Sequence, residues 1–208
     1  VKANVQQESN DWMQARVGKF TASRSGDLMA RAKSGPSASR GNLIARMVCE
    51  RLTGQPVETY QNDAMRRGTE LEAEARDAYS FSTGQTVTEC GFIRCDTIPN
   101  TGCSPDGLVG NDGLLEIKCP ASEAKHLDAL IRGQHAKEYH WQLQHQMLVT
   151  GRAWVDAVSY DPRWPDHLQL AIVRVQRDEA AIADLAQAIR EADAEIEAFI
   201  ATLQQKAA

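Results

Sequence analysis

Apolar positions in this chain recur with two periods, every three to four residues in some stretches and every second residue in others. The two rhythms separate helices from strands. The three-to-four spacing predicts helices over residues 43–52, 63–81, 122–132, 137–149 and 178–203, with a short helical segment at 12–16 ended by Gly18. In the 63–81 helix, Met65, Gly68, Leu71, Glu72, Ala75, Ala78 and Tyr79 fall at helical spacings. In the last helix Ile182, Leu185, Ile189, Ile196 and Phe199 face inward and acidic residues outward. Alternation predicts strands over 87–94, 101–103, 153–160 and 168–175. Thr21-Ala22-Ser23 before Leu28-Met29 reads as another helix start, where a hydroxyl and free backbone N–H groups make a natural phosphate seat.

The strongest local signal is a hairpin. Asn111-Asp112-Gly113 separates two strand-like runs, and these residue types tolerate the positive φ of tight turns. Folding back there places Asp106 across from residues 116–118. Glu116 and Lys118, two apart, share one face, while Leu115 and Ile117 point the other way into a core. Two close carboxylates repel unless a cation sits between them, and hard oxygen ligands select Mg²⁺ or Mn²⁺. A lysine beside them orients or deprotonates a water, and the set suits metal-assisted phosphodiester hydrolysis. A surface Glu–Lys pair is the plainer reading of an isolated Glu-x-Lys. Pro105-Asp106 followed ten residues later by Glu116-Ile117-Lys118 is a far more specific pattern.

A third carboxylate draws attention, because Glu72 lies on the otherwise apolar helix face that carries Gly68, Ala75 and Tyr79 and needs a partner there. That partner is a buried salt bridge or a metal or its water, and Glu70 is the rival for the same role. Arg31 and Lys33 open a small, basic loop at 31–40, the composition expected where a chain touches a nucleic-acid backbone. Tyr139, Gln142, Gln144 and Gln146 share one helix with His140 and His145, and its glutamines are read either as donors to phosphate oxygens or the nucleophilic water or as the solvated amides of an amphipathic helix. The histidines are read as structural, since Mg²⁺ seldom takes imidazole.

Composition changes this picture little. The 208 residues make one ordinary domain, 1–208, 42% hydrophobic and 25% charged, values typical of globular proteins. The net charge of −5 is divided unevenly: residues 1–67 hold 11 Lys and Arg against 6 Asp and Glu, and 68–208 hold 12 against 22. The basic part is the part suited to meet phosphate. No stretch approaches a membrane span and residues 1–8 form no apolar signal region, so a cytoplasmic protein is expected. Five scattered cysteines, Cys49, Cys90, Cys95, Cys103 and Cys119, show no C-x-x-C and are expected to be reduced and buried.

Ser104-Pro105-Asp106-Gly107 followed by Leu115-Glu116-Ile117-Lys118-Cys119-Pro120 resembles the active-site signature of the lambda-type phage exonucleases, the YqaJ-like viral recombinases of the PD-(D/E)xK nuclease superfamily. The resemblance runs from about Trp12 to Val175 and includes Gly68-Thr69-Glu70-Leu71-Glu72 and the Tyr139–Gln142 pair. It implies an α/β fold with a central mixed, twisted sheet flanked by helices and a restriction-endonuclease-like core. It also implies Mg²⁺-dependent 5′-to-3′ digestion of linear duplex DNA to mononucleotides, leaving 3′ strands for recombination. Mn²⁺ is expected to substitute, with two ions per site. In this pattern Asp106, Glu116 and the Ile117 carbonyl ligate metal, Glu72 holds the second ion or its water, and Lys118 positions or activates the attacking hydroxide. Arg16, Ser23, Ser104 and Gln142 match the family's 5′-phosphate contacts. A ring-shaped homotrimer threaded by DNA and a single-strand-annealing recombinase as partner are implied as well. The competing readings are a site-specific endonuclease or junction resolvase of the same superfamily, and a non-catalytic module that binds DNA ends.

Overall fold

The computed structural model describes residues 7, 9–33, 35, 37–57, 63–133 and 137–207. Ser34 and Pro36 of the basic loop, and the Met65 side chain expected on the 63–81 helix, lie outside the described residues. In chain order the helices are α1 (Asn10–Arg16), α2 (Ser25–Met29), α3 (Ala38–Thr53), α4 (Asp63–Thr83), α5 (Glu123–Arg132), α6 (His140–Thr150) and α7 (Glu179–Ala207). The strands are β1 (Phe20–Thr21), β2 (Val87–Thr88), β3 (Ile93–Arg94), β4 (Thr101–Cys103), β5 (Gly107–Val109), β6 (Gly113–Lys118), β7 (Trp154–Tyr160) and β8 (Leu170–Gln176).

They form two sheets. The larger is mixed, in the order β2-β5-β6-β7-β8, with β6 and β7 parallel and the other pairs antiparallel. The smaller has the order β1-β4-β3. The single strand expected over 87–94 is therefore two strands in different sheets, β2 and β3, separated by Glu89–Phe92, where Cys90 and Phe92 turn into the interior. The chain passes from the small sheet to the large one between β4 and β5, through Ser104-Pro105-Asp106.

Strand β6 explains the layering. Leu115 and Ile117 face α4, where they pack with Ala75, Tyr79, Val158 and Tyr160. Leu114, on the opposite face, packs with Leu143 and Met147 of α6 and with Val155 and Ala157. Each such fully buried side chain stabilises the fold by about 1.5–3 kcal/mol. A further core joins Phe20, Leu28, Ile44 and Met47 to Leu185, Ile189 and Ile196 of α7. Phe199, expected inward, is 48% exposed, because the packing stripe of α7 runs through Leu185, Ile189, Ala192, Ile196 and Ile200 and leaves Phe199 beside it. Among the described residues no helix is long and apolar enough to cross a membrane.

Three local expectations change. The turn between β5 and β6 takes its positive φ at Gly110 (52°), not at Asn111 or Asp112, and Gly113 already lies in β6 against the Trp154 ring. Thr21 and Ser23 cap no α-helix. Ala22–Arg24 is a 3-10 turn leading into the five-residue α2, and Thr21 makes no side-chain cap. All five cysteines are free, but Cys49 on α3 is exposed and Cys95, just past β3, is only partly covered where it packs against the Phe20–Ile196 core.

Candidate active site

The β5–β6 register sets Gly107 opposite Leu115, so Asp106, one residue before β5, comes level with Glu116 and Ile117. Asp106 Oδ2 accepts the Ile117 N–H at 2.6 Å, and the Asp106 N–H donates to the Leu115 carbonyl at 3.1 Å. In an extended strand the N–H and C=O of one residue leave by the same edge. The Ile117 carbonyl therefore lies on the edge that faces Asp106.

Glu116, 3% exposed, is the hub. Its Oε1 accepts from Lys118 Nζ at 2.5 Å and from Gln142 Nε2, and its Oε2 accepts from Gln146 Nε2 at 2.5 Å. Gln142 and Gln146 are one turn apart on α6, the helix that covers the Leu114–Glu116 face of β6. Burial works against the Lys118 charge, but Glu116 and Asp106 outweigh it and hold the ammonium above its ordinary range. Its Nζ also sits 4.7 Å above the Tyr139 ring, a cation–π contact.

Asp106 shows the opposite tension. Burial first, and then the Glu116 charge, hold its carboxyl well above the usual carboxylate range, with Glu72 adding to the effect. Glu72 accepts from Arg76 at 2.6 Å, so the partner required on that helix face is in part a salt bridge. Glu70 is exposed, and it is Glu72 whose charge acts on Asp106. This excess of negative charge, in an all-oxygen donor set, fits a hard divalent cation. Among the described residues no three His, Cys, Asp or Glu side chains are drawn together around one point. Mg²⁺ needs no such cage, because it binds through one or two carboxylates and keeps several waters. Burial pushes the Cys90 and Cys119 thiols up to about 12, which leaves them protonated and poor nucleophiles.

Beside the hairpin lies a cationic recess. Arg16, at the end of α1, reaches Ser104 Oγ and Ser23 Oγ, both at 3.4 Å, and stacks 4.1 Å over Trp12, whose Nε1 donates to Ser104 Oγ at 2.8 Å. No carboxylate among the described residues pairs with Arg16, which sets it apart from an arginine spent in a surface salt bridge. Burial, then the neighbouring Arg24, pull its guanidinium down to about 10. The segment after Arg16 is fixed from α3. Glu50 Oε2 accepts the Gly18 N–H at 2.9 Å, and Arg51 Nε donates to the Gly18 carbonyl at 3.0 Å. Arg51 is itself paired with Asp193 and Glu197 of α7.

Arg16, Ser23 and Ser104 thus meet at one place, and Asp106, Glu116, Lys118 and Gln142 at another, two residues along the chain. Arg31 and Lys33 stay on an exposed loop, with no hydrogen bond or ion pair to either group among the described residues. Gln146, read as a donor to phosphate or water, donates to Glu116, and Arg24 and Trp12, to which no site role was attached, join the picture. The helical spacing of Gln146 from Gln142 was the available signal for that contact. His145 is buried and bonded to Ser25 Oγ at 2.6 Å, His140 packs edge-on to Trp141, and Gln144 and Gln146 are buried, not solvated amides.

Comparison with known proteins agrees with this geometry. A family model described as the YqaJ-like viral recombinase domain matches residues 11–153. The crystal structure of an alkaline exonuclease (LHK-Exo) from Laribacter hongkongensis is 47% identical, with a TM-score of 0.88 over 96% of this chain and 98% of that one. The same exonuclease in complex with dAMP matches to the same degree. A phage-related exonuclease from Haemophilus somnus 129PT shares the fold at 16% identity, with a TM-score of 0.74 over 89% of this chain and 96% of that one. No curated protein matches. With its helix-flanked mixed sheet of the restriction-endonuclease-like type, its Ser-Pro-Asp-Gly and Glu-Ile-Lys hairpin, and a family model spanning most of its length, the chain belongs to the YqaJ-like viral recombinase family.

Proposed function

We propose that this protein is a divalent-metal-dependent exonuclease that digests linear duplex DNA from its 5′ ends, releases 5′-mononucleotides and leaves 3′ strands for recombination by annealing. The observation that carries the reading is the distance along the chain between the unpaired Arg16 recess and the reactive carboxylates. Ser104, which Arg16 contacts, is two residues before Asp106. Two residues of chain span at most about 7 Å, a reach comparable to one nucleotide step. A terminal phosphate held by Arg16, Ser23 and Ser104 would therefore put the next phosphodiester beside Asp106 and Glu116. The dAMP bound by the Laribacter exonuclease is a product of this class and supports the mononucleotide step.

Asp106, Glu116 and the Ile117 carbonyl would hold one Mg²⁺ or Mn²⁺, and Glu72 a second ion or its water. When bound, such an ion polarises the phosphate and makes water nucleophilic at neutral pH. Lys118, held as an ammonium by Glu116 and Asp106 in the metal-free site, would orient the attacking oxygen or, once a cation offsets those carboxylates, activate it. Gln142, half-exposed beside it, can donate to a phosphate oxygen. A homotrimer around the DNA, an annealing recombinase as partner and a cytoplasmic site of action complete the proposal on family grounds. Basic segments from residues 1–67 gathered around a central opening would offset the net charge of −5.

The test is incubation of linear and closed circular duplex DNA with the protein in Mg²⁺ or EDTA. Linear duplex should vanish in Mg²⁺ alone, and Asp106→Ala or Glu116→Ala should abolish the reaction while the protein stays folded. Full activity in EDTA refutes the metal reading. Cutting of closed circles replaces the exonuclease with the endonuclease reading. A solution mass that stays at the 22.9 kDa of one chain excludes the trimer.

A further inference from the structure

Glu116 is gripped from two directions that differ in solvent access. Its Oε1 receives Lys118 and Gln142, whose side chains both reach the surface, whereas its Oε2 receives only Gln146, which has no exposed area. The two oxygens are therefore not equivalent: Oε1 faces the open cleft and Oε2 the protein interior. The Gln146 amide carries a further mark. Its own Oε1 is buried and has no donor among the described residues. Turning the amide over would set that oxygen against the Glu116 carboxylate, two acceptors with no proton between them. The bond to Glu116 alone thus fixes the amide, and an unsatisfied carbonyl is left as the consequence, a feature folded proteins rarely keep without a use.

We infer that Gln146 is a positioning residue: it anchors Glu116 Oε2 permanently and aims Oε1 into the cleft, while Gln142 and Lys118 are the donors that yield when a divalent cation arrives. The inference rests on the metal reading above. A cation approaching Oε1 repels the Lys118 ammonium. Lys118 and Gln142 can find new partners in water or in phosphate oxygens, because both reach solvent. Gln146 has no exposed area and no other acceptor among the described residues. Groups that orient a metal ligand from behind typically change metal affinity 10–100-fold when removed. Gln142, by contrast, should matter to turnover more than to affinity.

The experiment titrates Mn²⁺ into DNA-free protein and follows free and bound ion by electron paramagnetic resonance, so that it does not depend on turnover. Gln146→Met keeps the length of the side chain and removes the donor. It should weaken Mn²⁺ binding by about 10–100-fold, while Gln142→Met stays within about threefold of wild type. Circular dichroism checks that both variants fold. If Gln146→Met does not, Gln146→Ala, whose vacated space admits water, is measured in its place. Equal Mn²⁺ affinity in wild type and a folded Gln146 variant overturns the inference, as does equal weakening by the two glutamine variants. Failure of both Gln146 variants to fold assigns the residue to the fold and overturns it too. A wild type that binds no Mn²⁺ ends the metal reading itself, an outcome distinct from one that binds Mn²⁺ and ignores Gln146.

Discussion

Arg16→Ala should remove the enzyme's preference for phosphorylated ends and little else. In the free protein Arg16 has only long contacts to Ser23 and Ser104 and the Trp12 ring below it, with no carboxylate among the described residues to offset its charge. A 5′-terminal phosphate entering the recess would accept charge-assisted hydrogen bonds from the guanidinium fork, each worth about 1.5–3 kcal/mol. Two such bonds come to about 3–6 kcal/mol, a loss of about 10²–10⁴ in rate at subsaturating DNA. A 5′-hydroxyl end offers no anion at that position, so its rate should fall by less than about threefold on the same argument. The protein itself gives up one cation–π contact of about 0.5–1 kcal/mol and is relieved of a half-buried, unpaired cation. Its melting temperature should therefore move by no more than about 3 °C. Single-turnover digestion of matched duplexes with 5′-phosphate and 5′-hydroxyl ends is the assay. Inorganic phosphate gives a second reading, since it should raise the melting temperature of wild type and not of the variant. Equal losses on both ends, or none, would leave Arg16 a packing residue and the direction of digestion unexplained.

Lys118→Ala should slow cleavage by about 10²–10³ while DNA affinity falls by less than about tenfold, because one cation among several phosphate contacts is a small part of binding. Normal cleavage with poor binding would make Lys118 an anchor. His145 is buried as the neutral ring, and burial lowers its pKa from 6.5 to about 3. Between those values the unfolded chain takes up a proton that the folded chain refuses. The stability attached to this group is complete above pH 6.5 and declines in acid by about 1.4 kcal/mol per pH unit. Denaturant titrations of His145→Gln should accordingly show a shallower acid slope between pH 6 and 4, and an unchanged slope refutes the assignment. Gly113→Ala would put a Cβ 2.1 Å from the Trp154 ring, which stacks 3.6 Å from the Arg174 guanidinium. Displacing that ring should cost about 1–3 kcal/mol, read as a lower melting temperature, and an unaltered transition would show the strand can absorb the methyl group.

The hairpin was legible because its signal is local. Alternation fixes which of Leu115, Glu116, Ile117 and Lys118 share a face, and a short turn fixes the register that brings Asp106 level with them. The Arg16 recess was legible in part, since the hydroxyl of Ser23 marks a phosphate seat seven residues from Arg16, but the joining of Ser104 to it came only from family resemblance because that residue lies on a distant segment. Where sequence reasoning failed, tertiary structure decided. Residues 87–94 alternate like one strand, yet Cys90 and Phe92 are drawn into the interior and the run divides between two sheets. Gly110, and not the Asn-Asp pair, takes the left-handed turn position because it carries no Cβ penalty there. The grip of Gln146 on Glu116 was only partly legible: its spacing from Gln142 puts both amides on one helix face, but an amide on a helix announces neither burial nor partner.

The last helix, which contributes no atom to the chemistry, is nevertheless geared to it. Asp193 and Glu197 hold Arg51, Arg51 holds the Gly18 carbonyl, and Gly18, at φ +64° with Arg51 Cγ only 2.7 Å from where a Cβ would stand, is two residues from Arg16. Slack introduced in α7 would pass along this linkage to Arg16, the proposed holder of the DNA end, and not to Asp106 or Glu116, which hang from β5 and β6. Variation in the C-terminal helix should therefore surface as altered discrimination between DNA ends while the rate of bond cleavage is spared. The chain's least reactive element becomes a tuning screw for which ends are accepted.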